Sequence, residues 1–166
     1  MLNDFTLTEA VEFAVATEEM GERAYTKLAE RFATEEEIAD VFSRLATDER
    51  MHKAQFQALL DQVPPDDDIM TKDEKSRYLR AMAMSEFFRG DTKLIGKLDR
   101  TKNLDEALGC VMGFEKATLG YYLAIKDVLG DSDALDRIIE AEKSHIARLM
   151  KYILTDEKMK GLADVF

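Results

Sequence analysis

The chain has 166 residues, of which 34% are charged, and a formal net charge of −11. Its single cysteine, Cys110, excludes an internal disulfide and any Cys-x-x-Cys metal module, and two prolines disfavour a turn-rich β fold. The acidic balance argues against nucleic acid as a partner, and no apolar run of about 18 residues is present to span a membrane.

Thr6 followed by Glu9 is a capping box, and it opens a helix predicted over about 7–32. Thr34 with Glu37 repeats the pattern and opens a second helix over about 35–62. The stretch "VPPDDDIM" then breaks the chain, and Thr71 with Glu74 begins a shorter helix over about 73–89. Residues 72–102 hold nine Lys/Arg against five Asp/Glu, which reads as a solvated connector, with a docking surface for an acidic partner or another copy of the chain as the alternative. Within it, Met82, Met84, Phe87 and Phe88 are candidates for core or dimer contacts. Asn103 with Glu106 opens a third long helix over about 104–129, and Gly130 stops it. Asp131, Ser132 and Asp133 offer caps for a fourth, over about 133–154, and the tail adds a turn or two. Cys110, one position before Val111, reads as a small packing residue.

Short links join the first helix to the second and the third to the fourth, so each pair is an antiparallel hairpin. About forty residues separate the hairpins. Two hairpins and one long crossover give an all-α, ferritin-like four-helix bundle, expected as a single domain over 1–166. With no basic leader before an apolar stretch, a cytoplasmic location is expected.

Alternating steps of four and three residues trace the core-facing stripe of each helix. The first reads Leu7, Val11, Ala14, Glu18, Gly21, Tyr25, Leu28, Phe32. The second reads Ile38, Phe42, Leu45, Glu49, His52, Phe56, Leu59, Val63. The third reads Leu104, Leu108, Val111, Glu115, Thr118, Tyr122, Ile125, Leu129. The fourth reads Leu135, Ile138, Glu142, His145, Leu149, Tyr152. Every stripe is apolar at its ends and polar in the middle. Both histidines of the chain stand three residues after a glutamate, on one helical face.

Four buried glutamates would repel one another unless protons or cations neutralise them. Two divalent ions cancel four carboxylates, and neutral imidazoles fill further ligand positions. One Glu from each of two helices, with Glu-x-x-His from each of the other two, is the ligand set of di-metal carboxylate bundles. The candidate ligands are therefore Glu18, Glu49, His52, Glu115, Glu142 and His145. Glu19 and Glu22 compete with Glu18, but Glu19 lies about 100° off the stripe and Glu22 at its margin. The chain also repeats itself: Glu18 and Tyr25 recur as Glu115 and Tyr122, each ahead of a Glu-x-x-His. A pseudo-two-fold axis follows.

These Glu-x-x-small-x-x-x-Tyr and Glu-x-x-His helices resemble the rubrerythrin branch of the ferritin-like superfamily. The resemblance implies two iron ions, with manganese or zinc as alternatives, capped by Glu18 and Glu115 and bridged by Glu49 and Glu142. It implies that His52 and His145 complete the two coordination spheres, and that Tyr25 and Tyr122 hydrogen-bond to ligand carboxylates. In two respects the chain departs from the pattern. Paired cysteines of a rubredoxin-like module are absent, so a separate electron-donor protein is expected. Thr118 also stands where rubrerythrins carry a further glutamate, leaving a symmetric set that resembles bacterioferritin. The leading expectation is a homodimeric di-iron oxidoreductase reducing peroxide or O₂. A ferroxidase or iron-storage protein is the alternative, and a non-catalytic helical protein with a structural metal is the third.

Overall fold

A computed structural model describes residues 6–63 and 92–163. Its helices are α1 (Leu7–Arg31), α2 (Glu36–Leu60), α3 (Thr92–Leu98), α4 (Leu104–Leu129) and α5 (Asp133–Ala163). The predicted short helix over 73–89, its Thr71–Glu74 box and the apolar residues from Met82 to Phe88 lie outside the described residues.

Local chemistry sets most of the boundaries. At the start of α1 the Thr6 hydroxyl accepts from the Glu9 N–H at 3.0 Å, and the Glu9 carboxylate accepts from the Thr6 N–H at 2.8 Å. Asn103 accepts from the Glu106 N–H at 2.9 Å, and the Glu106 carboxylate reaches back to the Lys102 N–H. Gly130 ends α4 with φ of 85°, a conformation that costs glycine little and other residues more. The second predicted box does not form. The N-cap of α2 is Glu35, without a side-chain cap, because the chain turns straight out of α1 through Phe32 and leaves Thr34 one residue too early. Helix α5 runs on to Ala163, so the tail extends that helix.

Helix α1 packs on α2 and α4, and α5 packs on α2 and α4, so the four long helices close a ring. All neighbours are antiparallel. Tyr121 donates to the Ala10 carbonyl at 2.7 Å and Tyr122 reaches Glu18, while Tyr25, two turns further along α1, meets Glu115, earlier on α4. The link from α2 to α4 must therefore travel the length of the bundle, and α3 is part of it. Leu94 and Leu98, one turn apart, are buried against α1 and α4, and the Arg31 guanidinium donates to the Leu98 carbonyl at 3.0 Å. Seven residues interrupted by Gly96 carry too little periodicity for a sequence prediction, so packing and this cation define the helix.

Apolar side chains fill the bundle in two clusters. One gathers Tyr25, Leu28, Phe42, Leu45, Val111 and Leu149; the other gathers Val11, Phe56, Tyr122, Ile125, Leu135 and Ile138. Cys110 is half-buried against the first, and burial pushes its thiol pKa up, which suits packing better than reactivity. Between the clusters lies a polar layer. Among the described residues no helix is long and apolar enough to cross a membrane.

Candidate metal centre

The polar layer is built from the middle of every stripe. Glu18 comes from α1, Glu49 and His52 from α2, Glu115 from α4, and Glu142 and His145 from α5; none is more than 4% exposed. They fall into two overlapping groups: Glu18, Glu49, His52 and Glu142, and then Glu49, Glu115, Glu142 and His145. In each group one potential ligand atom per residue lies within 4.8 Å of all the others. Glu49 and Glu142 belong to both, as a shared pair between two ions requires. The two imidazoles face each other, with centroids 5.4 Å apart.

Both histidines aim Nδ1 into the layer. His52 Nδ1 is 3.0 Å from Glu142, 3.6 Å from Glu18 and 3.7 Å from Glu49. His145 Nδ1 is 3.4 Å from Glu115, 3.6 Å from Glu49 and 3.7 Å from Glu142. The tyrosines cross the pseudo-two-fold axis: Tyr25 donates to Glu115 and Tyr122 donates to Glu18. Each ring is held by a phenylalanine of α2, Tyr25 by Phe42 and Tyr122 by Phe56. Burial, then the adjacent carboxylates, push both phenol pKa values well above their ordinary value, so both hydroxyls remain donors.

Without metal, protons balance the layer. Burial, reinforced by Glu18 and Glu142, pushes the Glu49 pKa well above the usual carboxylate range. Burial lifts Glu115 to about 7, with His145 opposing it. Glu142 goes the other way: burial would raise it, yet the imidazoles of His145 and His52 beside it bring it to about 2. Burial also disfavours charge on the imidazoles, but their carboxylate contacts prevail and push His52 up to about 9 and His145 up to about 12.

The donor set fits a pair of hard or borderline cations. Among the described residues, nine buried side-chain N or O atoms lack a hydrogen-bond partner, and seven belong to these six residues. They include Glu18 Oε2, Glu115 Oε2, both oxygens of Glu142 and both Nδ1 atoms. Buried polar atoms are rarely left unmatched, and here the unmatched atoms converge. Carboxylate oxygens with imidazole nitrogens suit iron, manganese and zinc alike.

A family model described as Rubrerythrin matches residues 9–153. The chain belongs to the rubrerythrin family. No curated protein sequence matches it. A solved structure from Thermotoga maritima, described as a ferritin-like diiron-carboxylate protein, is 28% identical, with a TM-score of 0.70 over 91% of this chain and 96% of that one.

Residues that the stripes did not show lie beside this layer. Asp48 Oδ2 lies 3.3 Å from His145 Nε2 and accepts from Arg148 Nη1 at 2.9 Å. The bond to His145, against the opposing effect of burial, and then that to Arg148 lower the Asp48 pKa. Asp48 immediately precedes Glu49, about 100° round the helix, so it falls off the stripe while still touching a histidine. Its position four residues before His52 pointed at the wrong histidine. Glu22 does not join the layer: it pairs with Arg50 at 2.7 Å and Lys53 at 3.5 Å on the α1–α2 surface. Glu19 is exposed.

Gly21 is where the rubrerythrin pattern wants a small residue, and a Cβ there would stand 3.1 Å from Glu49 Cδ. Gly21→Ala should therefore push the shared carboxylate aside by a few tenths of an ångström. Helix propensity favours alanine by roughly 1 kcal/mol, so the metal-free protein should hold or gain denaturation midpoint. Metal affinity should fall about tenfold, the loss typical when a ligand's support is disturbed. Urea titration and chelator competition on the same variant check both halves.

Proposed function

We propose that the protein is a di-iron oxidoreductase that reduces hydrogen peroxide or O₂ with electrons from a separate donor protein. Glu18 and Glu115 would each hold one ion, Glu49 and Glu142 would serve both, and His52 and His145 would complete the two sets. The observation that carries this reading is the convergence of seven unpartnered buried atoms into two overlapping ligand groups. Two ferrous ions bound there would supply a pair of electrons at one place, enough with two protons to reduce peroxide to water or O₂ to peroxide without release of a one-electron radical. The chain's own part is positional. Tyr25 and Tyr122 hold Glu115 and Glu18 in place, Asp48 holds His145, and the apolar clusters on either side keep bulk water away.

Thr118 favours a second reading. It is buried at the position where rubrerythrins carry another glutamate, and the symmetric set that remains resembles that of bacterioferritin, which supports a ferroxidase or iron-storage role. Anaerobic loading with ferrous iron should give about two ions per chain. On the first reading one peroxide consumes two ferrous ions, turnover resumes when a reductant is supplied, and light scattering shows a dimer. Uptake far beyond two irons per chain, in a large assembly, would establish iron storage instead. Fewer than two tightly held ions would sink both.

A further inference from the structure

The two Glu-x-x-His segments align with a shift of 93 residues, which lays Glu49 on Glu142 and His52 on His145. The same shift lays Asp48 on Ala141 and Gln55 on Arg148. The pseudo-two-fold that relates the ligands is therefore broken directly behind the histidines. Asp48 lies against Nε2 of His145 and is itself anchored by Arg148. Among the described residues, the carboxylates that His52 meets all belong to the polar layer, and all face its Nδ1. The positions equivalent to Asp48 and Arg148 hold Ala141, which offers no acceptor, and Gln55, whose Oε1 is buried without a partner.

We propose that Asp48 makes the two metal positions unequal, so that the position served by His145 fills first and holds its ion more tightly than the position served by His52. An imidazole that donates Nε2–H to a carboxylate is fixed in the tautomer with its Nδ1 lone pair free. Its ring orientation is fixed as well, and Nδ1 becomes the stronger donor. Once Nδ1 has released its proton, His145 has all three advantages, whereas His52 must still settle its tautomer and orientation. Outer partners of this kind change metal affinity by roughly 10- to 100-fold. The proposal rests on the di-metal reading of the layer.

Cobalt(II) is a suitable probe, because its visible absorption reports each site separately from any turnover. His52→Gln leaves the His145 position, and His145→Gln leaves the His52 position. In affinities corrected for the protons that each binding event releases, the first variant should bind Co(II) at least about tenfold more tightly than the second. Adding Asp48→Ala, which puts at 48 the alanine that stands at 141, should remove that factor from the His52→Gln protein and change the His145→Gln protein by less than about twofold. Ala141→Asp gives the complementary test, and should strengthen binding in the His145→Gln protein. Equal affinities of the two single-site variants, or equal effects of Asp48→Ala in both, would overturn the proposal while leaving the paired site intact. A wild-type protein that binds no Co(II) would overturn the di-metal reading and this inference with it.

Discussion

The double variant Glu49→Leu/Glu142→Leu should bind no ion pair, yet unfold at a higher denaturant concentration than metal-free wild type. Both glutamates belong to both ligand groups, so their removal leaves each group with one carboxylate and one histidine. Two ligands of that kind do not hold a divalent ion against chelator. The metal-free protein gains by the same change. Wild type has four carboxylates and two imidazoles in a layer with almost no solvent exposure, where burial favours protons on Glu49 and Glu115. The variant keeps Glu18 with His52 at 3.6 Å and Glu115 with His145 at 3.4 Å, a balanced set in which each carboxylate still has its tyrosine. Leucine at 49 and 142 joins the apolar clusters on either side. Replacing buried ionic groups with well-packed apolar ones is typically neutral or stabilising by about 1–4 kcal/mol. A drop in the metal-free midpoint would mean that these glutamates support the fold themselves. Unchanged metal retention would remove the paired site altogether.

How much of this could be read from the chain depends on which forces decide each feature. The four long helices and the mid-stripe position of all six polar residues follow from periodicity, because burial of a continuous apolar stripe leaves the phase little freedom. The ring order does not follow from periodicity. That Tyr25 reaches Glu115 and Tyr122 reaches Glu18, each across to the other hairpin, depends on α1 and α4 lying side by side. Asp48 and Arg148 were hidden for a related reason: each sits at a helix flank, and only the packing of α2 against α5 brings the two together beside His145. Helix α3 was hidden because two buried leucines are too few to establish a period. The failed cap at Thr34 shows the opposite error, a sound local pattern overruled by a tight turn.

Acidification should empty the site steeply, and metal binding should release protons. In the metal-free protein at pH 7, His52 and His145, at about 9 and about 12, both carry a proton. Glu115 at about 7 carries one half the time, and burial with the neighbouring carboxylates favours a proton on Glu49. Every one of these atoms must be free to bind an ion, so loading the pair displaces roughly three protons. Apparent affinity for the pair should then fall on the order of a thousandfold per pH unit below neutrality. Calorimetry in buffers of different ionisation enthalpy counts the protons directly; a count near zero would mean that the layer is already deprotonated and awaiting cations. Stability of the metal-free protein should run in the opposite direction. Histidines with raised folded-state pKa values stabilise fully below their ordinary value of 6.5, and that contribution disappears as pH rises through about 9 and about 12. Glu49 acts in the same sense, since above the ordinary carboxylate range its folded form resists an ionisation that the unfolded chain allows. Glu142, held at about 2, loses its contribution only in strong acid. Between pH 7 and pH 10 the metal-free midpoint should therefore fall while metal affinity rises, because the protons that hold the empty layer together are the ones that ions displace.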